Sequence, residues 1–207
     1  MLAFVAGMVN VVGLLGFEHQ AVTHLTGTTS MLAAAIAGLD GAAVLHLIAV
    51  LGSFLSGTVL SGILIQDNVL QLGGRYVVAL LLEVVLLGCA VPLLNGNNAF
   101  GIYLASCACG LQNAMVSTYS GAVVRTTHLS GMFTDLGIFL GLWLRGRSVD
   151  VRRVRLCFLI ISGFLVGGIA GTIAFKRYCY ESLLIPAGII ALTATVYGVC
   201  LMWTRER

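Results

Sequence analysis

The stretch VTHLTGTTS (residues 22–30) interrupts a chain that is otherwise mostly apolar, and TTHLSGMFT (residues 126–134) repeats the interruption about a hundred residues later. A polar string in such a chain is either a loop between spans or a break at membrane depth, and the fold depends on which it is. Composition fixes the medium first. Of the 207 residues, 59% are hydrophobic and only 9% charged, against roughly 25% charged in soluble domains. The runs 42–65, 76–94, 156–174 and 183–203 are long enough to cross a hydrocarbon core, which takes about 20 apolar residues as a helix. Alternating strands of the kind that build a membrane barrel are not seen. The expected class is an all-α polytopic membrane protein.

Working outward from the two strings, the chain repeats itself. GMVN (7–10) precedes THLTG (23–27), and GLQN (110–113) precedes THLSG (127–131). Gly7 pairs with Gly110 and Asn10 with Asn113 at an offset of 103, and His24 pairs with His128 at 104. Further on, FLSGTVLS (54–61) matches FLVGGIAG (164–171), with small residues four apart at Gly57/Ser61 and Gly167/Gly171. Those small-residue faces read as helix packing. The order of features predicts a tandem duplication, residues 1–98 and 99–207, within one integral membrane domain. Residues 2–17 are read as a mature span, not a signal peptide, because they lack a basic n-region and their counterpart recurs internally.

Each THL motif is followed by a short apolar run, 28–38 or 131–144, too short to cross: eleven residues of helix reach only about 16 Å. If each is a broken or re-entrant piece, each half spans three times and the second half is inverted. With the N-terminus inside, Arg75, Arg125, Arg145, Arg147, Arg152, Arg153, Arg155, Arg205 and Arg207 lie inside, and only Lys176 and Arg177 outside. That is nine to two; if the short runs crossed, the split would be seven to four. The positive-inside rule favours six transmembrane helices in two inverted three-span repeats.

Non-helical backbone at membrane depth survives only where protein buries it or water solvates it. Thr26 and Thr28 are expected to cap a helix starting near Thr29, and Ser130 one starting near Met132. Helix N-termini carry free N–H groups and partial positive charge, and discontinuous helices at corresponding positions in two halves mark transporter binding sites. The alternative is structural: Thr-Gly pairs make tight turns, and the imidazoles only satisfy nearby carbonyls. The candidate substrate-binding residues are Asn10, Thr23, His24, Thr26, Gly27, Thr28, Gln112, Asn113, Thr127, His128, Ser130 and Gly131. Glu83, mid-span in ALLLEVVLL, should face the bundle, protonated or paired with His46. Asp135 follows the second motif on its short helix. Glu83, Asp135, His24 and His128 are the candidates for proton coupling. Arg125 either holds an anionic group or anchors its span, and Glu18 and Asp40 sit at span ends.

The six cysteines lie mostly in apolar runs and read as small packing residues. The CxC at 107–109 lacks the partner ligands of a zinc site. No metal and no cofactor is expected. A net charge of +3 gives no sign of nucleic-acid binding. Without HExxH, a nucleophile elbow or clustered metal ligands, the chain does not read as an enzyme and no catalytic residue is assigned.

An early G-x-x-[D/N] paired with THLTG, then GLQNA with TTHLSG, resembles the YoaK-like family of small bacterial membrane proteins, a domain of unknown function regarded as small-molecule permeases. The resemblance covers essentially the whole chain and is most specific over 7–38 and 110–141. It implies a bacterial cytoplasmic (inner) membrane protein that transports. Two positions depart from it: the family's aspartate is here Asn10, and its TGN reads TGT, with Thr28 in place of asparagine. If that aspartate carries a proton elsewhere in the family, coupling here falls to Asp135, Glu83 or the histidines, or transport is uncoupled. The first motif lies close to residue 1, so no N-terminal cytoplasmic extension is expected.

The expected function is a permease for a small polar or anionic solute held between the two broken helices, with both termini cytoplasmic. A narrow channel of the same architecture is one alternative, and a non-transporting assembly subunit is another. The partners expected are the solute or an ion and the lipid bilayer. A homodimer fits six short spans that enclose little volume.

Overall fold

The computed structural model describes residues 1–16, 23–65, 74–119 and 126–205. Arg125 and Glu18 lie outside them. The fold is all-helical: α1 (Leu2–Leu15), α2 (Leu25–Ala37), α3 (Gly41–Leu64), α4 (Gly74–Asn95), α5 (Phe100–Tyr119), α6 (Leu129–Leu144), α7 (Val151–Tyr178) and α8 (Leu184–Arg205), with a 3-10 turn at Cys179–Leu183 between the last two. Three stretches are long and apolar enough to cross a membrane: Gly41–Leu64, Gly74–Asn95 and Val151–Trp203. The last holds both α7 and α8. Large apolar side chains such as Leu45, Ile63, Leu159, Ile173 and Leu192 are exposed, as lipid-facing positions are in a membrane protein.

Local sequence sets the ends of these helices. Asp40 caps α3, accepting from the Ala43 N–H at 3.0 Å. At the matching position Asp150 caps α7, accepting from the Arg152 N–H at 2.9 Å. A short polar carboxylate satisfies N–H groups that have no partner within the helix. Asp40 and Asp150 are 110 residues apart, whereas His24 and His128 are 104 apart; of the six extra residues, three lengthen α6 relative to α2 and three lengthen the α6–α7 connection relative to α2–α3. Asp40, at its span end, thus serves as a helix cap.

The packing is reciprocal. A Cβ on Gly7 in α1 would overlap the Phe164 carbonyl oxygen in α7, and one on Gly110 in α5 would overlap that of Phe54 in α3. Conversely, Gly57 in α3 abuts the Cys107 carbonyl and Gly167 in α7 abuts that of Phe4. The first helix of each half thus lies against the third helix of the other, backbone to backbone, through glycines that only a hydrogen side chain allows. Both contacts are parallel. Gly163 lies near Phe4 and Gly171 near Met8 and Val11, while His46 faces Tyr103 and Gly57 faces Cys107.

The remaining contacts run the other way. Gly74 meets Leu201 and Val77 meets Gly198, so α4 and α8 are antiparallel. The tight 96–99 turn, with Asn97 at φ 53°, folds α5 back along α4. Gly16 meets Tyr180 at one end of α1, and Met1 meets Thr193 at the other, so α1 and α8 are antiparallel too. Following these contacts, α1, α4 and α7 point one way and α3, α5 and α8 the other. The main core lies where α1, α4, α5 and α8 meet, around Val5, Val9, Leu87, Ile102 and Ile190. By contrast α2 buries only Thr28, and α6 only Met132. These two short helices ride on α3 and α7 respectively.

Candidate functional site

The two polar strings fold into matching junctions. Asn10, on α1, turns its Oδ1 toward the start of α2 and accepts from the Thr23 hydroxyl at 2.6 Å and the Thr23 N–H at 3.2 Å. In the second half, Asn113 Oδ1 on α5 accepts from the Thr127 hydroxyl at 3.2 Å. Each asparagine pins the entry to a short helix onto the first helix of its half.

The next residue in each junction is a histidine at the N-cap, with nearly the same backbone: φ −98°, ψ 69° for His24 and φ −90°, ψ 58° for His128. Neither caps through its side chain. Instead each imidazole folds over the first turn. A Cβ on Gly27 would crowd Nδ1 of His24, and one on Gly131 would overlap Nδ1 of His128. Glycine at those two positions makes room for the ring. Both histidines remain exposed. The first intrahelical bonds run from the Thr28 N–H to His24 O at 3.1 Å and from the Met132 N–H to His128 O at 3.2 Å. The N–H groups of residues 25–27 and 129–131 precede those bonds, so they head each helix as donors.

Two expectations are corrected here. The helices start inside the motifs, at Leu25 and Leu129, not near Thr29 and Met132. Thr26, Thr28 and Ser130 are therefore first-turn residues and not caps. The buried Thr28 hydroxyl donates back to His24 O at 3.2 Å, and the Thr26 and Ser130 carbonyls accept from Ser30 at 3.0 Å and Thr134 at 2.9 Å. Backbone acceptors one turn earlier compete for these hydroxyls. Second, α2 packs on α3 and α6 on α7, and no packed interface joins α2 to α6 among the described residues. The short helices do not clasp each other.

The structure thus groups Asn10, Thr23, His24, Thr26, Gly27 and Thr28 in one junction and Asn113, Thr127, His128, Ser130 and Gly131 in the other. Gln112 belongs to neither. It is fully buried, and its Nε2 donates to Leu2 O at 3.4 Å, tying α5 to the start of α1. Asp135 is exposed on α6. Glu83 points into the bundle, 2% exposed, with no hydrogen-bond partner for Oε2 among the described residues. His46 does not pair with it; its Nδ1 lies 2.9 Å from the Tyr103 hydroxyl. Thr126, buried beside the second junction with Oγ1 unpartnered among the described residues, is a polar residue that the sequence does not single out. Its counterpart is Val22, so repetition gives no signal. An apolar cavity of about 240 Å³ opens between α1, α4, α5 and α8, lined by Leu2, Tyr76, Leu80, Met115, Thr193 and Tyr197. Among the described residues no three His, Cys, Asp or Glu side chains gather as metal ligands.

A family model described as a protein of unknown function (DUF1275) matches residues 1–196. No curated protein and no solved structure matches the chain.

Proposed function

The chain belongs to the DUF1275 family, and from the geometry of its paired junctions we propose that it is a membrane transporter for a small polar or anionic solute. It reads as six crossings in two inverted three-span repeats. Support for that topology comes from helix direction. α1 and α3 run oppositely although only α2 separates them in sequence, so the segment that holds α2 makes no net crossing of the bundle. The same holds for α6 between α5 and α7. Eight crossings would make α4 and α8 parallel, whereas Gly74–Leu201 and Val77–Gly198 pair them antiparallel.

The observation that carries the transport reading is the asparagine–threonine–histidine junction built twice, once in each half. Its depth suits a solute site. At about 1.5 Å per residue, the 13-residue α2 reaches only about halfway along the 24-residue α3 on which it packs. Independently, Gly7 lies one turn before Asn10 and packs on Phe164, near the middle of α7. Both junctions then sit near mid-membrane, where the N-terminal N–H groups, the exposed imidazoles and the Thr26 and Ser130 hydroxyls offer donors to an anion or a polar solute. In place of one site clasped by two helices, the proposal has two related half-sites on either side of the antiparallel α1–α5 pair. Among carboxylates, Glu83 suits proton coupling better than Asp135, because it is buried in the bundle with one oxygen unpartnered among the described residues.

The charge distribution fits a bacterial cytoplasmic membrane with both termini inside. Arg75, Arg145, Arg147, Arg152, Arg153 and Arg155 fall on the face where α1 begins and α8 ends, and Lys176 and Arg177 on the other.

Proteoliposomes loaded with a mixture of small anions and polar metabolites test this proposal. Wild-type protein should release or exchange at least one solute faster than protein-free vesicles. An Asn10→Ala/Asn113→Ala variant that still reconstitutes should not. If no solute moves and the variant differs only in stability, the junctions are structural and the assembly-subunit reading replaces this one.

A further inference from the structure

The cytoplasmic end of the second repeat combines an apolar groove with a cluster of arginines. Between α6 and α7 runs an apolar groove of about 580 Å³, lined by Phe133, Leu136, Leu140 and Trp143 from α6 and by Val154 and Phe158 from α7. Its volume is that of a small-molecule pocket, roughly 300–1,000 Å³. Next in sequence to the lining residues Trp143, Val149, Val151 and Val154, the six-residue connection and the start of α7 carry Arg145, Arg147, Arg152, Arg153 and Arg155, all exposed. Asp150, the carboxylate among them, caps α7 and lies 3.6 Å from Arg153. The other four arginines make no ion pair among the described residues. Val151, Val154 and Phe158 share one face of α7, and Arg155, four residues after Val151, edges the same face. At the matching place in the first repeat, the α2–α3 connection is Gly38-Leu39-Asp40, with no cation.

We propose that this groove is a binding site for one anionic phospholipid of the cytoplasmic leaflet, an acyl chain lying along α6 and α7 and its phosphate held by Arg147 and Arg155. Apolar walls alone would accept any lipid, and arginines alone would only report topology. Together they select a molecule with an apolar tail and an anionic head. Basic pockets between helices on the cytoplasmic side recognise anionic headgroups for this reason, and arginine's planar fork grips phosphate with two donors at once. Trp143, at the C-terminal end of α6, sits where an interfacial aromatic would meet the headgroup region. The inference rests on the membrane placement of the chain and not on its transporting anything.

Native mass spectrometry of the delipidated full chain decides it. The protein is titrated with phosphatidylglycerol or phosphatidylcholine of identical acyl chains, with and without sodium phosphate as competitor. Two variants run alongside. Arg147→Gln/Arg155→Gln alters exposed side chains only. Gly137→Phe fills the groove from a position on α6 where an added Cβ meets nothing within 4 Å. Wild type should retain phosphatidylglycerol about thirty-fold better than phosphatidylcholine, the ratio expected for two arginines at a membrane surface. Both variants should lose that preference, and phosphate should not displace the lipid. Equal retention of the two lipids, or a preference surviving in the arginine variant, overturns the proposal. So does displacement by phosphate, which would mean a headgroup site without the groove. A lipid-free dimer that Gly137→Phe dissociates would make a second copy the occupant and equally refute it. Should Gly137→Phe fail to fold, the lipid preference of the arginine variant alone decides between these outcomes.

Discussion

At the scale of single residues, the packing depends on what each glycine touches. Gly7 and Gly110 face carbonyl oxygens of another helix, and backbone cannot move aside as a side chain can. Gly110→Val should therefore cost about 3 kcal/mol or more by overpacking, read as a clear fall in the melting temperature in detergent. Gly62→Ala, where nothing lies within 4 Å of the new Cβ, should leave the melting temperature unchanged or raise it. The asparagines give a second contrast. Asn10→Ala removes the acceptor of two hydrogen bonds from Thr23, about 2 kcal/mol at roughly 1 kcal/mol each. Asn10→Asp keeps an acceptor in place and should retain most of that stability. Glu83→Gln preserves shape but cannot give up a proton; proton-coupled uptake should lose its pH dependence in this variant, while uncoupled uptake would not change. Repetition makes Asn10, Asn113 and the THL pairs legible as sequence. It does not reveal that each asparagine oxygen accepts from the motif threonine, because that bond joins residues 13 or 14 apart across a turn. Small residues four apart mark Gly57/Ser61 and Gly167/Gly171 as packing faces, yet the partner helix depends on the long-range meeting of the two halves, which no local spacing encodes.

At the scale of elements, the sequence places the short helices correctly but points to the wrong start. Thr26, Thr28 and Ser130 have the chemistry of caps, so a start three or four residues late is the natural reading. The actual N-cap is a histidine, which local propensity does not favour there; the preceding threonine's hydrogen bond to the asparagine of the first helix and a glycine under the ring hold it instead. The reversal at Cys179, φ 48°, separates α7 from α8 and makes their ends opposite in direction. A labelling experiment follows from this. In a background lacking the other cysteines, Cys179 on the α7–α8 turn should react with an impermeant thiol reagent from the outside. Arg147→Cys, on the α6–α7 connection, should react only after the inner face is opened. Reaction of both from one side would rule out the single crossing by α7 on which the six-span reading depends.

At the scale of the whole molecule, composition is enough to reveal an all-helical chain with membrane-length apolar stretches. The way the halves interlock is not legible. The first helix of each half packs on the third of the other, so neither half buries its glycine faces alone, and the two should unfold together. This exchange also sets the short helices on the flanks of the bundle, with their N-termini tethered inward by Asn10 and Asn113. The central claim is that these two tethered N-termini are solute-binding half-sites. It is tested most directly by ligand-dependent melting of wild type and of a His24→Ala/His128→Ala variant, whose exposed imidazoles can be removed without leaving a buried gap. At a ligand concentration about a hundred times Kd, binding adds about 2.7 kcal/mol, a shift of a few degrees. At least one small anion or polar metabolite should raise the melting temperature of wild type by that much and leave the folded variant unmoved. An equal shift in both proteins, or none in either across the panel, would contradict the claim.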